Sequence, residues 1–175
     1  ARLIADLFRT AGADRLMAVD LHASQIQGFF DGPVDHLFAL PVLADYVANK
    51  YDSSEMCIVS PDAGRVRLAD MWTDRLNCPL AIIHKRRDPN KANTIAVHEV
   101  VGDVAGKTCL LVDDMIDTAG TIAQAAEALR ERGAKRVIAA ATHPVFSGPA
   151  AVRLNASGMD EIIVTNTLPI RTTEP

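Results

Sequence analysis

Two rhythms of hydrophobic and polar positions alternate along this chain. Short, nearly continuous apolar runs at Met56–Ser60, Leu80–His84, Thr108–Val112, Arg136–Thr142 and Asp160–Thr165 read as strands. Between them, apolar residues recur at helical spacing in Leu40–Lys50 (Pro41 in its first turn), Arg65–Leu76, Thr121–Arg132 (stopped by Gly133) and Pro149–Ala156. Arg15–Asp20 reads as another strand, Ile95–Val101 as a weaker one, and Gly102–Lys107 as a turn. Continuous apolar strands alternating with helices predict a mostly parallel sheet with helices on both faces. Ligands of such sheets bind at the carboxyl ends of the strands. Ala1–Thr10 is amphipathic through Leu3, Ile4, Leu7 and Phe8, yet no Met begins it and no capping residue precedes it. The expectation is a chain that starts inside a helix, as a piece of a longer protein would. Polar residues at Tyr51–Glu55 suggest a change of domain, dividing the chain into 1–52 and 53–175.

Composition narrows the classes. With 49% hydrophobic and 23% charged residues the chain is globular rather than disordered. A net charge of −4 and a pI near 5.7 argue against nonspecific nucleic-acid binding. No apolar stretch approaches the roughly 20 residues of a membrane span. Cys57, Cys78 and Cys109 lie in or beside apolar segments without paired spacing, as reduced core residues of a cytoplasmic protein would.

The densest chemistry is in residues 109–121, Cys-Leu-Leu-Val-Asp-Asp-Met-Ile-Asp-Thr-Ala-Gly-Thr. The apolar run is expected to end at the adjacent carboxylates Asp113 and Asp114. Asp117-Thr118-Ala119-Gly120-Thr121 then forms a turn before a helix. Free N–H groups and the dipole at a helix start favour an anion such as phosphate. Gly120 is expected to allow close backbone approach, and Thr118 and Thr121 to donate hydroxyl hydrogen bonds. Asp113 and Asp114 would repel a phosphate and suit hydroxyl groups or a magnesium-bound sugar beside it. The plainer alternative is a helix cap flanked by solvated acids.

Three further strings leave predicted strands. Asp20-Leu21-His22 precedes Gln25-Ile26-Gln27-Gly28-Phe29-Phe30, where His22 is either a metal ligand or a hydrogen-bonded structural residue. Asp62-Ala63-Gly64-Arg65 offers magnesium a hard oxygen at Asp62, and backbone N–H groups from Ala63 to Arg65 to a pyrophosphate. His84-Lys85-Arg86-Arg87 is either a solvated basic turn or a source of cations for charge on a transferring group. His36, His98 and His143 show no ligand spacing, Trp72 reads as packing, and Phe146-Ser147-Gly148-Pro149-Ala150 carries no assigned chemistry.

The string Asp-Asp-Met-Ile-Asp-Thr-Ala-Gly-Thr resembles the ribose-5-phosphate loop of the ribose-phosphate pyrophosphokinase family. The other three strings resemble that family in the same order, so the likeness extends from Ala1 to Ile170. It implies a phosphoribosyltransferase-like α/β fold and synthesis of phosphoribosyl pyrophosphate and AMP from ATP and ribose 5-phosphate. By this resemblance, Asp113, Asp114, Asp117, Thr118, Ala119, Gly120 and Thr121 bind ribose 5-phosphate. Asp62, Ala63, Gly64 and Arg65 form the pyrophosphate loop, with Arg65 standing where the family commonly has a second glycine. His22 and Asp62 become ligands of Mg2+, Lys85 and Arg87 catalytic cations in a closing flap. Homo-oligomers, from dimer to hexamer in the full-length protein, are also implied. The rivals are a phosphoribosyltransferase, not expected to carry the Asp20–His22 or Lys85–Arg87 strings, and a nonenzymatic regulatory relative.

Overall fold

A computed structural model describes residues 1–86 and 97–170. Its internal contacts divide the chain into two compact units, 1–39 and 40–175. The first contains helix α1 (Arg2–Thr10) and two parallel strands, β1 (Leu16–Val19) and β2 (Val34–Leu37), joined through a short helical turn at Ser24–Phe29. Strand β2 has no counterpart in the sequence reading: Val-Asp-His-Leu is too short and polar to signal by itself. Its register against β1 is fixed by ladder bonds and by a forked ion pair from Arg15 to Asp35 at 2.5 and 2.8 Å. Ala5 is the buried residue of α1, while Leu3, Ile4, Leu7 and Phe8 are all exposed. His36 is structural, bonded to the Leu21 N–H and to Gln27.

The second unit is a six-stranded sheet in the order β5-β4-β3-β6-β7-β8. Its strands are β3 (Met56–Ser60), β4 (Leu80–Arg86), β5 (Val97–Val101), β6 (Thr108–Ile116), β7 (Arg136–Pro144) and β8 (Glu161–Val164). All neighbours pair in parallel except β4 and β5. Alternation along each strand sends side chains to both faces. Cys57, Val59, Cys109, Leu111, Val137 and Ala139 face helices α4 (Gly120–Glu131) and α5 (Ala150–Ala156), meeting Ile122, Ala126, Leu129 and Leu154. Ile58, Leu110 and Ile138 point the other way, toward α2 (Leu40–Lys50) and α3 (Val66–Leu76), whose buried residues include Val47, Trp72 and Leu76. The expected architecture, with helices on both faces, is what forms.

By internal contacts helix α2 lies in this second unit. Its end is tied to β8: Lys50 Nζ reaches Glu161 at 2.6 Å, Tyr46 bonds it at 3.0 Å, and the Tyr51 hydroxyl donates to the same carboxylate. Cys57, Cys78 and Cys109 are buried free thiols, and burial pushes Cys57 up to about 11 and Cys109 to about 12. Among the described residues no helix is long and apolar enough to cross a membrane.

One boundary differs in a way that matters for the site. The sequence ends the strand at Val112, yet β6 runs on through both carboxylates to Ile116. Strand β7 continues beside it, pairing Asp113 with Ala141, Met115 with His143 and Ile116 with Pro144. The ladder, rather than side-chain polarity, decides where the strand stops.

Candidate functional site

Because β3, β4, β6 and β7 are parallel, the segments that follow them emerge at one edge of the sheet. There the chain leaves β6 at Ile116, turns through Asp117–Ala119 and enters α4 at Gly120. Residues 113 and 115–122 line a cavity of about 140 Å³. That is less than the roughly 300 Å³ typical of pockets for drug-sized ligands, and it suits a small anion. Among the described residues no side chain caps α4, so its first N–H groups are presented to this cavity and the helix dipole adds to their pull on an anion.

One residue of the turn adopts a left-handed backbone. The left-handed residue is Ala119, at φ 60° and ψ 7°, and not Gly120. A Cβ on Gly120 would lie 3.4 Å from Arg153 Nη1, an ordinary contact, so the glycine keeps the helix start open rather than permitting the turn. Three residues from beyond β7 hold the turn. The Phe146 and Ser147 N–H groups donate to the Ile116 and Asp117 carbonyls, each at 3.0 Å. The Ser147 hydroxyl donates to the Asp117 carboxylate, and Arg153 Nη1 donates to the Thr118 carbonyl at 3.0 Å. Sequence reasoning gave Ser147 and Arg153 no role, since nothing local ties them to residues 30 and 35 positions away.

Beside the cavity stand the two carboxylates. Asp113 Oδ1 accepts the Asp114 N–H at 2.8 Å, and Asp114 Oδ1 accepts the Met115 N–H at 3.0 Å. Across from them the loop after β3 is wound into a single 3-10 turn at Ala63–Arg65. Asp62 Oδ1 accepts the N–H groups of Gly64 (2.7 Å) and Arg65 (3.1 Å), so these two donors turn toward their own loop's carboxylate. The Arg65 side chain spans to β6, with Nε 2.7 Å from Asp113 Oδ1 and Nη2 2.9 Å from Asp114 Oδ1. Burial and the neighbouring Asp114 push Asp113 up to about 7, against the pull of Arg65.

The structure thus brings Asp62, Ala63, Gly64 and Arg65 together with Asp113 and Asp114, and continues them into the Asp117–Thr121 turn. Lys85 lies near the end of β4, its backbone paired with His98, while Arg87 is outside the described residues. His22 belongs to the first unit and is exposed just beyond β1. Among the described residues no three His, Cys, Asp or Glu side chains form a ready metal cage. Magnesium does not require one, since it keeps water and takes one or two carboxylates plus substrate phosphates.

Residues 89–174 match the family model of the phosphoribosyl synthetase-associated domain. Over 169 residues the chain is 69% identical to the ribose-phosphate pyrophosphokinase of Streptomyces coelicolor, covering 97% of this chain and 52% of that protein. Identity to the Corynebacterium efficiens ribose-phosphate pyrophosphokinase is 58% over 170 residues, with the same coverages of 97% and 52%. The chain therefore spans about half the length of the curated relatives it matches. The solved phosphoribosylpyrophosphate synthetase from Mycobacterium smegmatis aligns with a TM-score of 0.89 at 58% identity, over 98% of this chain and 55% of that one. A purine phosphoribosyltransferase from Pyrococcus horikoshii aligns at TM-score 0.52 and 19% identity over 87% of each chain, a likeness of fold alone.

Proposed function

Because this chain belongs to the ribose-phosphate pyrophosphokinase family, we propose that its protein transfers the diphosphoryl group of ATP to ribose 5-phosphate. The anomeric hydroxyl attacks the β-phosphorus, a new C1–O–P bond links sugar and diphosphate, and the bond to the α-phosphate oxygen breaks to release AMP. The observation that carries this reading is the anion-sized cavity at the start of α4 with a pair of carboxylates at its side.

The roles follow from placement. Asp117, Thr118, Ala119, Gly120 and Thr121 receive the 5-phosphate through backbone N–H groups and hydroxyls. Asp113 and Asp114, on the strand leading into that turn, orient the ribose hydroxyls. The loop Asp62–Arg65 faces the diphosphate. Lys85 and Arg87 are proposed as the cations that offset charge on the transferring group, because electrostatic stabilisation is most of what phosphoryl transfer asks of a protein. Mg2+ fits the hard oxygens of Asp113, Asp114 and Asp62, and the Arg65 guanidinium already occupies a cation's position on the first two. Bound there, the metal would supply charge neutralisation and a more acidic hydroxyl. His22 is proposed as a further ligand on resemblance alone. The same reading makes 1–52 and 53–175 parts of two phosphoribosyltransferase-like domains of a cytoplasmic homo-oligomer, a dimer or hexamer.

AMP release from ATP, dependent on ribose 5-phosphate and Mg2+, tests the proposal, with calorimetric titration of ribose 5-phosphate on the same samples. Loss of turnover in Lys85→Ala with ribose 5-phosphate still bound is the expected result. No binding of ribose 5-phosphate would refute the assignment of the 113–121 segment. Release of a base-linked nucleotide from phosphoribosyl pyrophosphate would instead point to a phosphoribosyltransferase.

A further inference from the structure

The oxygens that Arg65 holds are fully used. Asp113 Oδ1 accepts the Asp114 N–H at 2.8 Å and Arg65 Nε at 2.7 Å. Asp114 Oδ1 accepts the Met115 N–H at 3.0 Å and Arg65 Nη2 at 2.9 Å. A carboxylate oxygen has two lone pairs, so neither oxygen has room for a cation or a sugar hydroxyl while the guanidinium is in place. The Asp114 and Met115 N–H donors sit on the strand next to the carboxylates they bind, whereas the guanidinium comes from another loop and is the exchangeable partner. The three side chains are 20%, 17% and 8% exposed, so their attraction is less screened than that of a surface pair.

We infer that Arg65 is a latch on the acidic pair: it holds Asp113 and Asp114 and is displaced when a divalent cation or the sugar's hydroxyls take those oxygens. This rests on the proposed function, since it concerns the same carboxylates. Displacement needs only side-chain rotation, because the Arg65 backbone is fixed from below. Its N–H bonds to Asp62, and the Ser60 hydroxyl holds the Asp62 carbonyl at 2.7 Å. The freed guanidinium remains tethered to the loop that faces the diphosphate, so occupying one subsite supplies a cation to the next. Arg65 is thus a positioning residue that couples the two.

Mn2+ binding by the chain, followed by electron paramagnetic resonance without any sugar or nucleotide, tests the latch. Arg65→Gln should bind Mn2+ roughly tenfold more tightly than the wild type, the scale of coupling expected between charged groups in contact. Arg65→Lys keeps the charge but not the planar fork, and should show a smaller rise. A purely structural role would lower affinity or leave it alone, so equal or weaker binding in Arg65→Gln overturns the latch. If that variant is unfolded, Arg65→Lys decides by the same sign. Titrating ribose 5-phosphate on the wild type separates the two ideas. A rise in Mn2+ affinity with no sugar-phosphate binding sinks the proposed reaction and keeps the latch; binding without the rise does the reverse.

Discussion

Replacing Ser147 with Ala removes one hydroxyl that donates to the Asp117 carboxylate and leaves the backbone bonds around it intact. Hydrogen bonds to charged groups contribute about 1.5–3 kcal/mol when shielded, but Asp117 is exposed and water replaces part of the loss. The remaining cost is about 1 kcal/mol, expressed as a looser 117–121 turn, which corresponds to a roughly fivefold rise in Kd for ribose 5-phosphate. Arg153→Ala removes the bond to the Thr118 carbonyl and should weaken binding by a similar factor. Both residues restrain one short turn, so the double variant should fall short of the product of the single effects. The Arg153 part should also shrink as salt is raised, because that side chain is exposed and acts partly through charge. Calorimetry gives Kd at two salt concentrations, and urea unfolding of the same proteins separates loop positioning from global stability. A Kd for Ser147→Ala within twofold of the wild type would refute the argument that the segment after β7 sets the shape of the phosphate turn.

Other outcomes follow from single residues. Ala119 holds a left-handed φ of 60°, so Ala119→Gly should stabilise the protein by about 0.5–1 kcal/mol and Ala119→Val should cost more than that, both read from urea midpoints. Asp113 is raised from 3.8 to about 7, so the folded chain binds more protons than the unfolded one in between. Its contribution is present at low pH and is lost as pH rises through that window, by at most about 4 kcal/mol. Tm measured from pH 5 to 8 should therefore fall more steeply for the ligand-free wild type than for Asp113→Asn, and parallel slopes would refute the shift. Cys57 and Cys109, pushed up to about 11 and about 12 by burial, should react with a thiol reagent at pH 8 only at the rate of unfolding; rapid modification of either would contradict their placement.

Legibility in the sequence tracked how local each interaction is. The turn at Asp117–Thr121 was readable because strand, turn and helix start are consecutive, and helix-end N–H groups attract anions wherever they occur. The alternating faces of β3, β6 and β7 were readable for the same reason, since periodicity is written in one dimension. Strand β2 was not, because four mixed residues make a strand only when β1 offers its ladder. The extension of β6 to Ile116 escaped notice because its cause is β7.

By itself, then, the sequence determined the fold class, the order of the elements other than β2 and the residue types at the strand ends it marked, all set by short-range periodicity and turn chemistry. Only the tertiary structure decided that Ala119, rather than Gly120, makes the left-handed turn, and that Ser147 and Arg153 brace it. The same is true of Arg65, which the sequence offered to a pyrophosphate and the fold seats between Asp113 and Asp114. These are choices among partners distant in the chain. A carboxylate accepts whichever donor the packing of strands brings within about 3 Å, and no spacing along the chain encodes that distance.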